Sequence, residues 1–443
     1  MFKTFKKGGV HPPENKISAE KKIETLQIPA VVTIPISQHL GAPAGVIVKK
    51  GDKVKTGQII AKSSGYISAN IHSSVSGTIL KIDETLDSTG YKKLAIAITV
   101  EGDEWETTID RSTDLKKEIK YSSDEIIKKI EESGVVGLGG ATFPSHVKIS
   151  IPKGKKADIL IINGVECEPY LTSDHRLMLE KADEMLIGIQ IIMKALDVKR
   201  AVIGIENNKP DAIEHLTKVS KNYQGIEICP LKVKYPQGGE KQLIKAIINR
   251  EVPSGKLPID VGTVVHNVGT VFAVYEAVQK NKPLIERVVT ITGKSVKNPS
   301  NYWVRIGTPI SALIEAAGGL PEDTGKIING GPMMGKTVTS TEVPVTKGTS
   351  GILLVPQQES ERGEIQNCIR CAKCVFVCPM GLEPYLLMPY AEKQLWDEAE
   401  KSKILDCIEC GSCSYTCPSF RPLLDYIRLG KSNVGKIIRS RNK

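Results

Sequence analysis

No stretch of this sequence stays apolar for long: even Met185 to Met193 is interrupted by Gly188 and Gln190. A helix that crosses a bilayer needs about 20 mostly apolar residues, so no membrane span is expected. The first residues, Met1-Phe-Lys-Thr-Phe-Lys-Lys-Gly-Gly, are basic but lead into no apolar run. They predict no secretory leader, and hence a cytoplasmic chain. Cysteine is scarce outside one region, because eight of the 10 lie between Cys368 and Cys417 while Cys167 and Cys229 stand alone. That distribution excludes a disulfide framework and marks a local site. Most of the chain also lacks net charge. The total of +10 comes from six Lys against Glu14 and Glu20 in residues 1–22, and seven Lys/Arg against Asp425 in residues 421–443. A neutral middle excludes the broad basic face that nucleic-acid binding needs, whereas two basic ends predict docking to something acidic.

What is present fits several domains: 443 residues with 40% hydrophobic content are enough for about three cores. From Val31 to Val100 short β runs are divided by glycines. This module resembles biotinyl/lipoyl carrier domains, but no lysine lies between Lys62 and Lys81 to carry a group, so it is read as a structural barrel-sandwich hybrid. Ser122 and Glu125 form a capping box for a helix with an apolar face at Ile126, Ile127 and Ile130. Apolar strands at 159–162, 201–205, 226–233 and 261–265 then alternate with helical spacing, notably from Asp174 to Leu196. Such alternation predicts an α/β domain with a mostly parallel sheet. Residues 288–340 read as a smaller β-rich unit with a helix near Ile310 to Ala317, and the last domain as helix and cysteine loops.

The strongest motif is Cys368-x2-Cys371-x2-Cys374-x3-Cys378-Pro379, which recurs as Cys407-x2-Cys410-x2-Cys413-x3-Cys417-Pro418. Three cysteines at this spacing wrap three corners of an iron-sulfur cube, while the fourth reaches the other cube. One 4Fe-4S cluster is therefore assigned to Cys368, Cys371, Cys374 and Cys417, and the second to Cys407, Cys410, Cys413 and Cys378. Structural zinc sites would use separated Cys-x2-Cys pairs.

Glycine-bearing loops supply the second signal. Gly137-Leu-Gly139-Gly140-Ala-Thr-Phe143-Pro144 follows a helix instead of a strand and has Thr142 where a dinucleotide fingerprint wants glycine. It still lets backbone N–H groups approach an anion, with Lys148 nearby. Asn163-Gly-Val-Glu166-Cys167-Glu168-Pro169, Pro236-Gln-Gly238-Gly239-Glu240 and His266-Asn267 stand at ends of expected strands. Ligands bind beyond the carboxyl ends of parallel strands, so these loops point to one cleft.

Gly137-x-Gly139-Gly140-x-x-Phe143-Pro144 with Lys148, and Asn163-x-x-Glu166-x-Glu168-Pro169, resemble the NADH-binding flavoprotein subunits of respiratory complex I. With Gly8-Gly9-Val10-His11-Pro12, the sandwich module, a 288–340 unit similar to soluble-ligand-binding β-grasp domains and the double cluster motif, the order resembles the C subunits of Rnf-type electron transport complexes. The resemblance implies a multidomain α/β architecture: a basic extension (1–25), a barrel-sandwich hybrid (26–112), a Rossmann-like FMN/NADH domain (113–286), a β-grasp domain (287–350), a helical two-cluster ferredoxin-like domain (355–425) and a basic tail (426–443). It implies contacts to FMN or nicotinamide from Gly137, Gly139, Gly140, Lys148, Asn163, Glu166, Gly238, Glu240 and Asn267, with Phe143 near the dinucleotide and Glu166 as the catalytic residue. Against the complex I pattern, Leu138 replaces an arginine, Val165 and Gly239 replace acidic residues, and His266 replaces an asparagine. FMN is expected to bind non-covalently, since no flavin-attachment motif is recognisable. The implied function is NAD(H)-linked electron transfer through FMN and two 4Fe-4S clusters, on the cytoplasmic face of a membrane. Partner subunits would exchange electrons with ferredoxin and move Na+ or H+. Anionic lipid or an acidic subunit face is the expected target of the basic tail, in which Ile427, Leu429, Val434, Ile437 and Ile438 are spaced for a helix with an apolar side. Two other readings are a soluble microcompartment cobalamin reductase, in whose family the sandwich lies towards the other end, and a non-catalytic iron-sulfur relay.

Overall fold

The computed structural model describes residues 2–441; Met1, Asn442 and Lys443, at the tips of the two basic ends, lie outside the described residues. Antiparallel strands Val31–Pro35, Lys92–Val100, Gly77–Leu86 and Lys53–Val54 form one sheet, and Gly45–Val46, Ile59–Lys62 and Ile71–His72 a second. Alternate residues Val32, Ile34, Ile96 and Ile98 point inward with Ile60, Ile71 and Ile79, giving the sandwich its core.

The α/β domain is built on four parallel strands, Ile159–Asn163, Ala201–Glu206, Ile226–Leu231 and Thr263–Asn267, in the spatial order third, second, first, fourth. Both faces are covered: Leu160, Ile162 and Ile203 pack on helices Ala182–Leu196 and Val268–Lys280, whereas Ile159, Ile161 and Val202 pack on Glu240–Ile248. This is why the strands read as continuous apolar runs. Two boundaries differ from expectation. The helical stretch from Asp174 divides into Ser173–Glu180 and Ala182–Leu196, with Lys181 at φ −131° between them. The break lets Leu177 meet Phe272 and Val288 while Met185, Ile189 and Ile192 stay in the sheet core. The fourth strand begins only at Thr263, after a 3-10 turn Pro258–Val261.

The β-grasp sheet shows that its expected limits need correction. Its order is Ile23–Thr25, Ser300–Arg305, Glu286–Thr292, Gly351–Pro356, Thr324–Asn329 and Lys336–Thr337, with Ile310–Ala316 against its core. One strand thus comes from the segment read as a basic extension, paired Ile23 to Asn301, and a central one from beyond residue 350. The rest of the extension also packs on the fold: Phe5 and Val10 are buried, and Lys3 donates to the Ile247 carbonyl.

The basic tail is corrected in the same way. Leu423–Arg441 is one helix whose Ile427 and Val434 are buried against Leu387, Ala399 and Ile404. Three of its cations are also engaged within the chain, Arg441 with Asp397 and Glu400, and Arg428 and Lys431 with Glu409. Its apolar side therefore completes the cluster domain instead of facing a membrane. No helix among the described residues is long and apolar enough to cross one.

Candidate functional site

The first cleft lies where the strand order reverses, between the first and fourth parallel strands. Asn163 and Asn267 end these strands side by side in register. Asn163 Nδ2 donates to the Gly238 carbonyl at 2.8 Å. Asn267 caps helix Val268–Lys280 by accepting from Gly269 N–H, and donates to Asp174 at 2.6 Å. The glycine loop is closed by Gly137 N–H to the Phe143 carbonyl and pinned by Leu138 N–H to Thr270 Oγ1. A Cβ on Gly139 would sit a tight 3.2 Å from that of Asn267, so the loop lies close against the strand end. Lys148 pairs with Glu240 at 2.6 Å on the same side. These contacts tie Gly139 to Asn267, Asn267 to Asn163, Asn163 to Gly238, and Lys148 to Glu240, while Phe143 closes the Gly137 loop through its carbonyl.

Glu166 requires correction. Its carboxylate accepts from the N–H groups of Asp174 and His175 and from Ser173 Oγ, so the role this structure gives it is to cap helix Ser173–Glu180. Burial and the nearby Glu166 push the Asp174 carboxyl well above its ordinary range. Glu168, two residues further along the same loop, is the carboxyl that faces the cluster domain: Tyr235 Oη lies 3.2 Å from it, and Met333 N–H donates to it. Enclosure raises its pKa to about 7. Buried Arg287, on the β-grasp sheet, holds the glycine loop through the Leu138 carbonyl. Tyr235 and Arg287 left no sequence signal because neither belongs to a glycine or cysteine motif.

The cysteine loops repeat in three dimensions. Arg370 and Ala372 flank Cys371 with left-handed backbone, and Glu409 and Gly411 flank Cys410 identically. Cys378, from the first motif, lines one cavity with Cys407, Cys410 and Cys413 of the second, closed by Leu382, Leu387, Leu424 and Ile427. Cys374 and Cys417 pack together beside Met388 and Leu423, with Cys368 and Cys371 exposed. Among the described residues no three His, Cys, Asp or Glu converge as a single ion would require. Sulfurs spread over a cavity wall suit the corners of a cube. Burial raises the thiol pKa of Cys407, Cys410 and Cys413, so positive iron is what would hold them as thiolates. The cleft fits FMN on similar grounds: Ser145 Oγ and His266 Nε2 are buried without partners, and burial lowers the His266 pKa to about 3, keeping it a neutral hydrogen-bonding group.

Comparison with known proteins agrees with this division. Residues 3–104 match the RnfC barrel sandwich hybrid domain, 130–276 the Nuo51 FMN-binding domain, 288–337 the SLBB domain and 362–419 the 4Fe-4S dicluster domain. The chain is 45% identical over 433 residues to the C subunit of the Na+-translocating ferredoxin:NAD+ oxidoreductase complex of Acetobacterium woodii, covering 97% of each. The chain belongs to the RnfC family. The proton-translocating counterpart of Clostridium ljungdahlii is 48% identical, covering 90% of this chain and 86% of the relative. The C subunit of the ion-translocating oxidoreductase complex of Rhodobacter capsulatus is 42% identical, covering 86% and 74%. The family's FMN-binding and 4Fe-4S dicluster domains make the chain a flavin iron-sulfur oxidoreductase subunit.

Proposed function

We propose that this chain is the NAD(H)-reacting peripheral subunit of an Rnf-type membrane complex, on its cytoplasmic face. It would pass electrons between NADH and partner subunits that exchange them with ferredoxin and translocate Na+ or H+. The observation that carries this reading is a direct link from cleft to cluster loop: Tyr235, beside Glu168, donates its hydroxyl to the Cys410 carbonyl at 2.8 Å.

FMN, when bound, converts a two-electron hydride into single electrons. The chain's own residues hold and wire that site. Gly137, Gly139 and Gly140 open the backbone to a close ligand, Lys148, Ser145 and His266 offer donors, and Asn163 and Asn267 fix the loops around it. Cys368, Cys371, Cys374 and Cys417 would hold one cluster, and Cys378, Cys407, Cys410 and Cys413 the other. The N-terminal match of the sandwich, residues 3–104, favours this reading over a cobalamin reductase.

The test is a flavin absorption band that NADH bleaches, together with iron near eight per chain. A flavin inert to NADH would leave only an iron-sulfur relay. Lys148→Ala should weaken FMN retention by about 1–3 kcal/mol, the scale of a lost charged hydrogen bond, measured as flavin lost on gel filtration. Full retention would remove Lys148 from the site.

A further inference from the structure

The segment Gly8–Lys16 has no assigned role, although it contains the Gly8-Gly9-Val10-His11-Pro12 motif. Its course joins the two redox sites. Gly9 N–H donates to the Val377 carbonyl at 2.8 Å, next to Cys378. Gly8 is left-handed at φ +68°, and a Cβ there would lie 2.6 Å from the Cys378 backbone. Val10 then exchanges both backbone hydrogen bonds with Tyr235, at 2.8 and 2.9 Å, and Tyr235 is the residue whose hydroxyl reaches Cys410. Further on, the Glu14 carbonyl accepts from Tyr170 N–H. The Lys16 ammonium donates to the carbonyls of Glu166, Glu168 and Leu171 at 2.7, 2.9 and 2.7 Å. Those carbonyls belong to a loop in which Glu166 and Tyr170 are non-glycine residues with positive φ, a conformation that the surrounding structure must hold in place.

We propose that Gly8–Lys16 is a positioning strap: it fixes the Cys378 turn and Tyr235 against the cleft loop 163–171, and so sets the passage of electrons from flavin to the cluster of Cys378, Cys407, Cys410 and Cys413. The inference rests on the functional reading above. NADH would give its hydride to the bound flavin, leaving NAD+; the flavin would then pass one electron to each of the two oxidised clusters and release the hydride's proton to solvent, so a single hydride reduces both. The strap acts on the second part of this sequence alone.

The experiment uses the full chain with flavin and both clusters. In Gly8→Ala, rapid mixing with NADH should bleach the flavin at the unaltered rate, while cluster reduction slows about tenfold or more, the scale on which ångström misplacement acts. Independently of activity, amide hydrogen exchange at Gly9, Val10 and Tyr235 should quicken. If that variant does not fold, Lys16→Met decides: exchange should quicken across 166–171 and cluster reduction should slow. Cluster reduction at the unaltered rate overturns the proposal. Slower bleaching or loss of flavin in Gly8→Ala also overturns it, since the segment would then be shaping the cleft itself. If NADH fails to bleach the unaltered chain, the functional reading falls, and the strap is judged on cluster reduction from photoreduced flavin.

Discussion

The two cysteine loops share one backbone design but occupy opposite environments. Cys368 and Cys371 are exposed, with Ile369 and Phe376 bare beside them, whereas Cys410 and Cys413 are buried. The second loop is also braced from outside its own domain. Tyr235 of the flavin domain reaches the Cys410 carbonyl, and the Met333 carbonyl of the β-grasp unit lies against Gly411. The spacing that builds a cluster therefore does not decide its use. The buried loop lies against the flavin domain and the exposed loop is open to solvent, a difference that matters because burial and hydrogen bonding around the sulfurs tune cluster potentials.

Removing one ligand from each cluster tests this most severely. Cys378→Ser should lose roughly half of the iron, and NADH should then bleach the flavin without reducing the remaining cluster. Cys417→Ser should lose a similar share yet leave a cluster that NADH still reduces. Iron analysis and electron paramagnetic resonance after NADH addition separate the two. The reverse pattern would exchange the roles of the loops, and loss of the second-motif cluster in Cys417→Ser would undo the crossed ligand assignment.

A milder test leaves every ligand in place. A chelator with air should release iron in two phases, the faster one matching the signal that survives in Cys378→Ser. A single phase would mean that burial does not protect the second site.

The contrast between local and distant determinants also explains what could be read from sequence. Both cysteine loops were legible because their chemistry is written in spacings of a few residues. The juxtaposition of Asn163 and Asn267 was legible for a similar reason: both stand at strand ends, and parallel strands bring their ends together. The roles of Lys16 and Glu166 were not. Lys16 meets loop carbonyls 150 or more residues away, and nothing in its local sequence distinguishes a lysine that enters the fold from one that stays in water. Glu166 looked reactive because it is acidic and near the cleft, but the free N–H groups of a helix starting at Ser173 claimed it. The basic tail misled for a third reason: its apolar residues fit a membrane-facing helix as well as one packed on Leu387 and Ile404, and periodicity alone cannot choose between the two.

The smallest expected effect sharpens the comparison furthest, because it touches charge and leaves both loops intact. Lys431 donates to the Cys407 carbonyl at 2.6 Å and pairs with Glu409 at 3.0 Å, so a cation from the C-terminal helix stands beside the buried loop. Reduction adds a negative charge to the cluster, which a nearby ammonium stabilises and a nearby carboxylate opposes. Lys431→Met should therefore lower the potential of the buried cluster, and Glu409→Gln should raise it. At this exposure each change is worth about 1 kcal/mol, or roughly 40 mV for one electron. The exposed cluster, whose loop lacks that ion pair, should move far less in either variant. Redox titration followed by electron paramagnetic resonance reads both clusters in one sample. Equal shifts at both would mean that the field of the helix is felt across the whole domain, and that the buried loop owes its distinct position to packing and not to local charge.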